Sequence, residues 1–178
     1  MTSPEGKTVK PNRSREILIL AVALAMLVID QVTKALVRKY LIPNVPWDPA
    51  AWLAPVLSLT YVTNRGAAFG LFPWLGSVYS LVNVFVIAMI VFFYRQLPPN
   101  NRWLQLSLGL QLGGALGNLT DRLTRGFVTD FVDLNFWPVH EWPVFNVADS
   151  CLTVGVCILA LYLLLEKEQP SAVSSPSH

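Results

Sequence analysis

Leu71-Phe-Pro-Trp-Leu-Gly-Ser-Val-Tyr-Ser-Leu-Val-Asn-Val-Phe-Val-Ile-Ala-Met-Ile-Val-Phe-Phe-Tyr94 carries no charge from end to end. It exceeds the roughly 20 apolar residues that take a helix across about 30 Å of hydrocarbon. Three further segments share its character. Ile17 to Ile29 is uncharged and continues through Asp30 and Lys34 to about Leu41, where Pro43 stops it. Trp103 to Thr120 is uncharged, and Val147 to Leu165 is interrupted only by Asp149. Composition agrees: 53% of the chain is hydrophobic and 13% charged, with a mean hydropathy of +0.48. A soluble domain is about 25% charged and has the polar residues to cover its surface. The expected fold is a mainly α integral membrane protein with four transmembrane helices, at about 17–41, 71–94, 103–123 and 147–165. Disordered, collagen-like and most soluble-enzyme classes are excluded.

The 178 residues suit one domain, expected over 17–165. Residues 1–16 and 166–178 are expected as disordered cytoplasmic tails, because they are polar and lack apolar pattern. The net charge of +2 is too small to point to nucleic acid. Cys151 and Cys157 lie six apart in one apolar run, a spacing that predicts free thiols. Lys7, Lys10, Arg13 and Arg15 ahead of an apolar core resemble a signal peptide. The apolar pattern continues past that core, however, and three more spans follow, so an uncleaved first span is expected. Lys and Arg divide almost evenly between the two sides, but the four cations ahead of the first helix favour an inside N-terminus. Four crossings then put both ends in the cytoplasm.

The outer segments are more than tethers. Val56-Leu-Ser-Leu-Thr-Tyr-Val-Thr63 is β-branched, aromatic and partly alternating, which predicts a strand, and Phe127 to Phe131 predicts a weaker one. A small extracytoplasmic β-sheet and an interfacial segment are therefore expected on the bundle. Trp47, Trp52, Trp74, Trp137 and Trp142 fall in or beside these segments. They suit an aromatic belt at the lipid interface, or a rim that grips a lipid-bearing substrate.

Polar residues inside a membrane protein are costly and mark function. With the N-terminus inside, Asp30, Asn64, Asn118, Asp121, Arg122, Asp130, Asn146 and Asp149 all fall toward the outer side. Simpler readings exist for several. Asp30 and Lys34, four apart, can neutralise each other. Asn146-Val-Ala-Asp149 has the form of a helix cap with an acid at the third helical position, where the dipole favours an ionised carboxylate. Gly113 to Gly117 suits a close helix contact. The chemistry open to the cluster is narrow. The histidines are His140 and His178 alone, and no metal-ligand spacing, Gly-x-Ser-x-Gly elbow or phosphate loop occurs, so neither a metal nor another cofactor is expected. Two carboxylates remain: when close, they cannot both ionise easily. The ionised one can take a proton from water while the protonated one polarises a carbonyl. Asp130 and Asp149 form the best pair, with Asp30, Asp121 and Asp133 as alternatives.

Asp30-Gln-Val-Thr-Lys34, Asn64-Arg-Gly-Ala-Ala-Phe-Gly70, Gly113-Gly-Ala-Leu-Gly-Asn-Leu-Thr-Asp-Arg122, Val128-Thr-Asp-Phe-Val-Asp133 and Phe145-Asn-Val-Ala-Asp-Ser150 together resemble the bacterial lipoprotein signal peptidase family, also called signal peptidase II. The blocks occur in family order and span about Ile17 to Leu165. Thr129 departs mildly, standing where the family more often has an aliphatic residue. The resemblance implies an aspartic endopeptidase of the bacterial inner membrane, for which a monomer suffices mechanistically. It would cut diacylglyceryl-modified prolipoproteins just before the lipidated cysteine, and globomycin would inhibit it. It implies Asp130 and Asp149 as catalytic dyad, with Asp30, Asn64, Asn118, Arg122 and Asn146 in support. Two other classes compete: a small proton-coupled transporter and a non-catalytic membrane assembly factor. A transporter usually carries its polar groups at the midplane of repeated halves; here they collect at one end and no repeat is seen.

Overall fold

A computed structural model of the chain describes residues 13–66, 75–94, 96–98, 101–136, 138–139 and 142–167. Trp74, Trp137, both histidines, both expected tails up to residue 12 and beyond 167, and the end of the Asn64–Gly70 block lie outside them. Four helices form: α1 (Arg13–Tyr40), α2 (Leu75–Phe93), α3 (Arg102–Arg125) and α4 (Val147–Lys167). Each corresponds to one apolar segment of the sequence. α1 begins ahead of the expected Ile17 boundary. The reason is that Arg15 is buried, its guanidinium donating to the carbonyls of Tyr94 and Leu97 and lying over the Tyr94 ring.

Local signals set the helix ends. The Asn101 side chain accepts from the N–H groups of Trp103 and Leu104 at 2.9 and 3.3 Å, capping α3. At its far end Gly126 adopts φ 76°, and its N–H returns to the Arg122 carbonyl. Nothing lies within 4 Å of a Cβ built there, so the left-handed backbone and not crowding calls for glycine. α3 is the hub and packs on α1, α2 and α4. A Cβ on Gly113 would lie 2.7 Å from the Ala23 carbonyl oxygen of α1, the close approach that the small-residue spacing predicts. Ile19, Ala23, Ile90, Leu108 and Leu112 form an apolar cluster between α1, α2 and α3. Between α3 and α4, Ser107 donates to the Gly155 carbonyl at 2.8 Å and Gln111 to Ser107 at 2.9 Å.

Outward faces are apolar: Ile17, Leu20, Leu24, Val32, Leu36, Leu161 and Leu164 are each at least half exposed. So large an apolar surface needs a lipid solvent. Among the described residues, two of the four expected spans, Ser14–Tyr40 and Val147–Glu166, are long and apolar enough to cross a membrane. The apolar stretch described in α2, Ser80–Phe93, is shorter. α3 runs 24 residues but carries buried Gln105, Ser107, Gln111, Asn118 and Asp121, which lower its apolarity and face other helices.

The sheet is antiparallel, in the order β1 (Pro46–Trp47), β2 (Leu57–Asn64), β3 (Val128–Leu134). β2 forms one residue on from the expected strand, and β3 runs longer than predicted. The two-residue β1 carries no alternation that could have revealed it. β2 and β3 pair Leu59 with Val132 and then Val62 with Asp130, so Thr60 and Tyr61 face the single residue Phe131 in a bulge. Val128 to Phe131 are all buried, because β3 is covered by α1 and α3 as well as flanked by β2. Both cysteines are free thiols.

Candidate active site

The predicted polar residues are brought together by the β2–β3 pair, the last turns of α3, the first turn of α4 and the stretch of α1 that carries Asp30. Past the bulge, Asn64 sits two residues along β2 from Val62, the partner of Asp130, so the two side chains are diagonal neighbours on one face. Asn64 Nδ2 donates to Asp130 Oδ2 at 2.8 Å. Its Oδ1 accepts from the Gly66 N–H at 2.8 Å, and this turn orients the amide so that its donor end meets the carboxylate. Gly66 has φ 77°, a backbone conformation open to glycine.

Asn146 caps α4 as predicted. Its Oδ1 accepts from the Asp149 N–H at 3.0 Å, and Asp149 Oδ2 accepts from the Asn146 N–H at 3.2 Å. The cap does more than end a helix. Asn146 Nδ2 reaches Asp130 Oδ1 at 2.6 Å and Asn118 Oδ1 at 3.2 Å. Asn118 in turn donates from Nδ2 to Asp149 Oδ1 at 2.7 Å. Asp130 and Asp149 are therefore joined by amides that donate to both. Asp130 is 2% exposed, whereas Asp149 is half-buried. Burial, and then the neighbouring Asp149 charge, push the Asp130 carboxyl up to about 7. The amides of Asn64 and Asn146 and the Lys34 charge hold it down only in part.

Asp30 is fully buried and binds α4 from the side: its Oδ1 accepts from the Ala148 N–H at 3.0 Å, at the positive end of that helix. A Cβ on Gly117 would lie 2.5 Å from Asp30 Oδ2, so the approach of α1 to α3 here depends on that glycine. Asp30 and Lys34 form the expected pair at 2.9 Å. Lys34 also has partners that helical spacing could not reveal. Its Nζ donates to Asn118 Oδ1 at 2.9 Å and lies 3.5 Å from Asp121 Oδ2. Asp121 accepts from the Thr129 N–H at 3.0 Å, and Arg38 and Arg125 lie 3.6 Å from its other oxygen. Thr129 is buried and accepts from Arg38 at 2.8 Å. Arg122 occupies the turn of α3 past Asn118, half-buried; its side chain is not one of the links above. Asp133 lies away from the cluster and accepts from Thr60 at 2.7 Å, which leaves it a strand-pairing role.

The cluster thus sets the carboxylates of Asp130 and Asp149, one buried and one reachable, inside a set of oriented amides, with the buried Asp30 and Asp121 paired to Lys34 beside them. Three comparisons bear on it. The family described as Signal peptidase (SPase) II matches residues 22–165. The chain is 47% identical over 146 residues to a lipoprotein signal peptidase of Moorella thermoacetica, covering 82% of this chain and 92% of that protein. It is 39% identical over 167 residues to one of Geobacter metallireducens, covering 91% and 98%. A bacterial membrane enzyme structure solved by the in meso method at 2.3 Å resolution superposes with a TM-score of 0.75 at 27% identity, covering 89% of this chain and 94% of that one.

Proposed function

The chain belongs to the signal peptidase II family, and we propose that it is an aspartic endopeptidase whose catalytic dyad is Asp130 and Asp149. It is a membrane protease of lipoprotein processing. It removes the signal peptide from diacylglyceryl-modified prolipoproteins, cutting just before the lipidated cysteine. The observation that carries the aspartic reading is the shared hydrogen bonding of the two carboxylates: Asn146 Nδ2 to Asp130 and Asn118 Nδ2 to Asp149.

The chemistry follows from the unequal surroundings of the pair. Asp149 accepts an amide N–H from Asn118 and the backbone N–H of Asn146 at the start of α4, and it is the more accessible of the two carboxylates. Asp130, buried beside that charge, keeps its proton up to about pH 7. Water held between them gives a proton to Asp149 as its oxygen attacks the scissile carbonyl, and Asp130 donates toward the carbonyl oxygen. Collapse of the tetrahedral intermediate returns a proton to the leaving nitrogen. Asn64, Asn146 and Asn118 hold the carboxylates. Asp30 fixes the start of α4, and Arg122 binds substrate backbone.

All four helices cross the bacterial inner membrane, both termini are cytoplasmic, and the site opens at the outer face. Support comes from the inward-facing polar side of α3, which three other helices surround. Trp47, Trp52 and Trp142, each at least half exposed, lie on the sheet side as an interfacial belt. The enzyme acts as a monomer on lipid-embedded substrate, and globomycin binds over the dyad.

Cleavage of a diacylglyceryl-modified prolipoprotein by wild type, Asp130→Asn and Asp149→Asn tests this reading, once each variant is shown to be folded. Loss of nearly all turnover in both is expected. Near-wild-type turnover in either would move the chemistry to other carboxylates.

A further inference from the structure

Lys34 is fully buried, and its ammonium joins three acceptors on two helices: Asp30 Oδ2 at 2.9 Å, Asn118 Oδ1 at 2.9 Å and Asp121 Oδ2 at 3.5 Å. Neutralising Asp30 does not account for this. Asp30 already accepts from Ala148 and Gln31, and Asp121 already accepts from Thr129 with Arg38 and Arg125 nearby. What Lys34 alone among these cations does is touch Asn118.

An ammonium has donors and no acceptor, whereas an asparagine amide has one end of each kind. Lys34 can meet only the Oδ1 end of Asn118. Asn146 Nδ2 approaches the same oxygen at 3.2 Å. The Nδ2 end must then turn the other way, where it donates to Asp149 Oδ1 at 2.7 Å. With the amide reversed, Asn118 would set a carbonyl oxygen against the carboxylate and an NH2 against the ammonium.

We propose that Lys34 is a positioning residue for the dyad: by fixing the Asn118 amide it keeps Nδ2 donating to Asp149, the dyad member that takes the proton from water. This deepens the dyad reading and rests on it. The charged groups around the arrangement are Asp30 from α1, Asp121 from α3 with Arg38 and Arg125 behind it, Asp130 from β3 and Asp149 from α4.

The test is the pH profile of kcat, with KM, for cleavage of a diacylglyceryl-modified prolipoprotein by the full chain in detergent. The variants are Lys34→Met, Lys34→Arg, Asn118→Ala and the double Lys34→Met/Asn118→Ala. In Lys34→Met, kcat should fall about 10²-fold, as for a misplaced catalytic group, while KM changes less than about twofold. The acid limb of the profile should move up by about one pH unit in Lys34→Met and in Asn118→Ala. Lys34→Arg should keep the limb in place, and the double variant should be no slower than the slower single. Losses that multiply in the double variant, with an unmoved acid limb, would show Lys34 to be structural only and overturn the proposal.

If Lys34→Met does not fold, Lys34→Met/Asp121→Asn removes one charge of each sign and should show the same shift. An unmoved limb in that variant, or in Asn118→Ala, also overturns it. Asp130→Asn and Asp149→Asn separate the two levels. If either folded variant cuts well, the dyad fails and the role of Lys34 fails with it. If both are dead while the limb stays put, only the role of Lys34 fails.

Discussion

Asp130→Asn should make the protein more stable at alkaline pH while abolishing turnover. A buried carboxyl that holds its proton to about pH 7 in the fold, against about 4 in the unfolded chain, binds that proton more tightly when folded. The stability this gives is whole below about pH 4 and drains away as pH rises through about 7. Between pH 5 and pH 8 the wild type should lose about 3 kcal/mol through this group. Asparagine at 130 has no such loss. It carries a constant cost instead: Asn64 and Asn146 both donate to Asp130, and an amide can accept from only one of them, a deficit of about 1 kcal/mol. The variant should thus be comparable to wild type at pH 5 and about 3 kcal/mol stronger at pH 8, where nearly all of the proton-linked stability is gone. Thermal unfolding in detergent at several pH values measures this, with about 6–12 °C expected at pH 8 for a chain of this size. A Tm difference that stays constant across the pH range would refute the reasoning, because Asp130 would then not hold a proton that the unfolded chain releases. Asp149→Asn provides a control. Removing its charge removes one cause of the elevation, so the pH dependence should flatten without vanishing.

Gly117→Ala should drive its methyl against Asp30, separate α1 from α3 and cost about 1–3 kcal/mol with loss of activity, read as a lower Tm and slower cleavage. Gly66→Ala would strain a positive φ and loosen the turn that aims Asn64; an activity loss of about tenfold is expected, smaller than for Asn64→Leu, and equal losses would show that the turn does not matter. Wild-type turnover should decline above about pH 7 as Asp130 ionises, and a rate that stays flat to pH 9 would deny Asp130 the acid role. Globomycin should raise the Tm of the folded enzyme and lose this effect in Asp149→Asn.

Much of the site was legible because its parts are local. The α4 cap needs only Asn146 and Asp149 three residues apart, and β2 needs only its own run of β-branched residues. Gly113 and Gly117 mark a close contact without naming what approaches. What could not be read depends on pairing across the chain. Spacing offers Lys34 one partner, Asp30, whereas its contacts with Asn118 and Asp121 exist only once α1 lies against α3. The hold of Asp30 on the α4 start joins residues far apart in sequence, and no periodicity encodes it. Arg15 looks like a flanking cation until Tyr94 and Leu97 are brought to it. α3 understates its place in the bundle because its polar side chains face neighbouring helices, while apolarity is averaged around the whole helix.

The bulge at Thr60–Tyr61 makes strand register part of the chemistry. Beyond it, every residue of β2 is offset by one against β3, and Asn64 meets Asp130 only under that offset. Adding one residue between the bulge and Asn64, or straightening the bulge so that Tyr61 pairs with Asp130, would leave a ladder of ordinary composition but turn Asn64 to the opposite face of the sheet. The chain can therefore tolerate insertions before Leu57, upstream of where the count begins, and far fewer between the bulge and Gly66. Length variation among natural or engineered relatives should pile up on the β1 side and stop short at the bulge, a boundary drawn by counting residues and not by which residues they are.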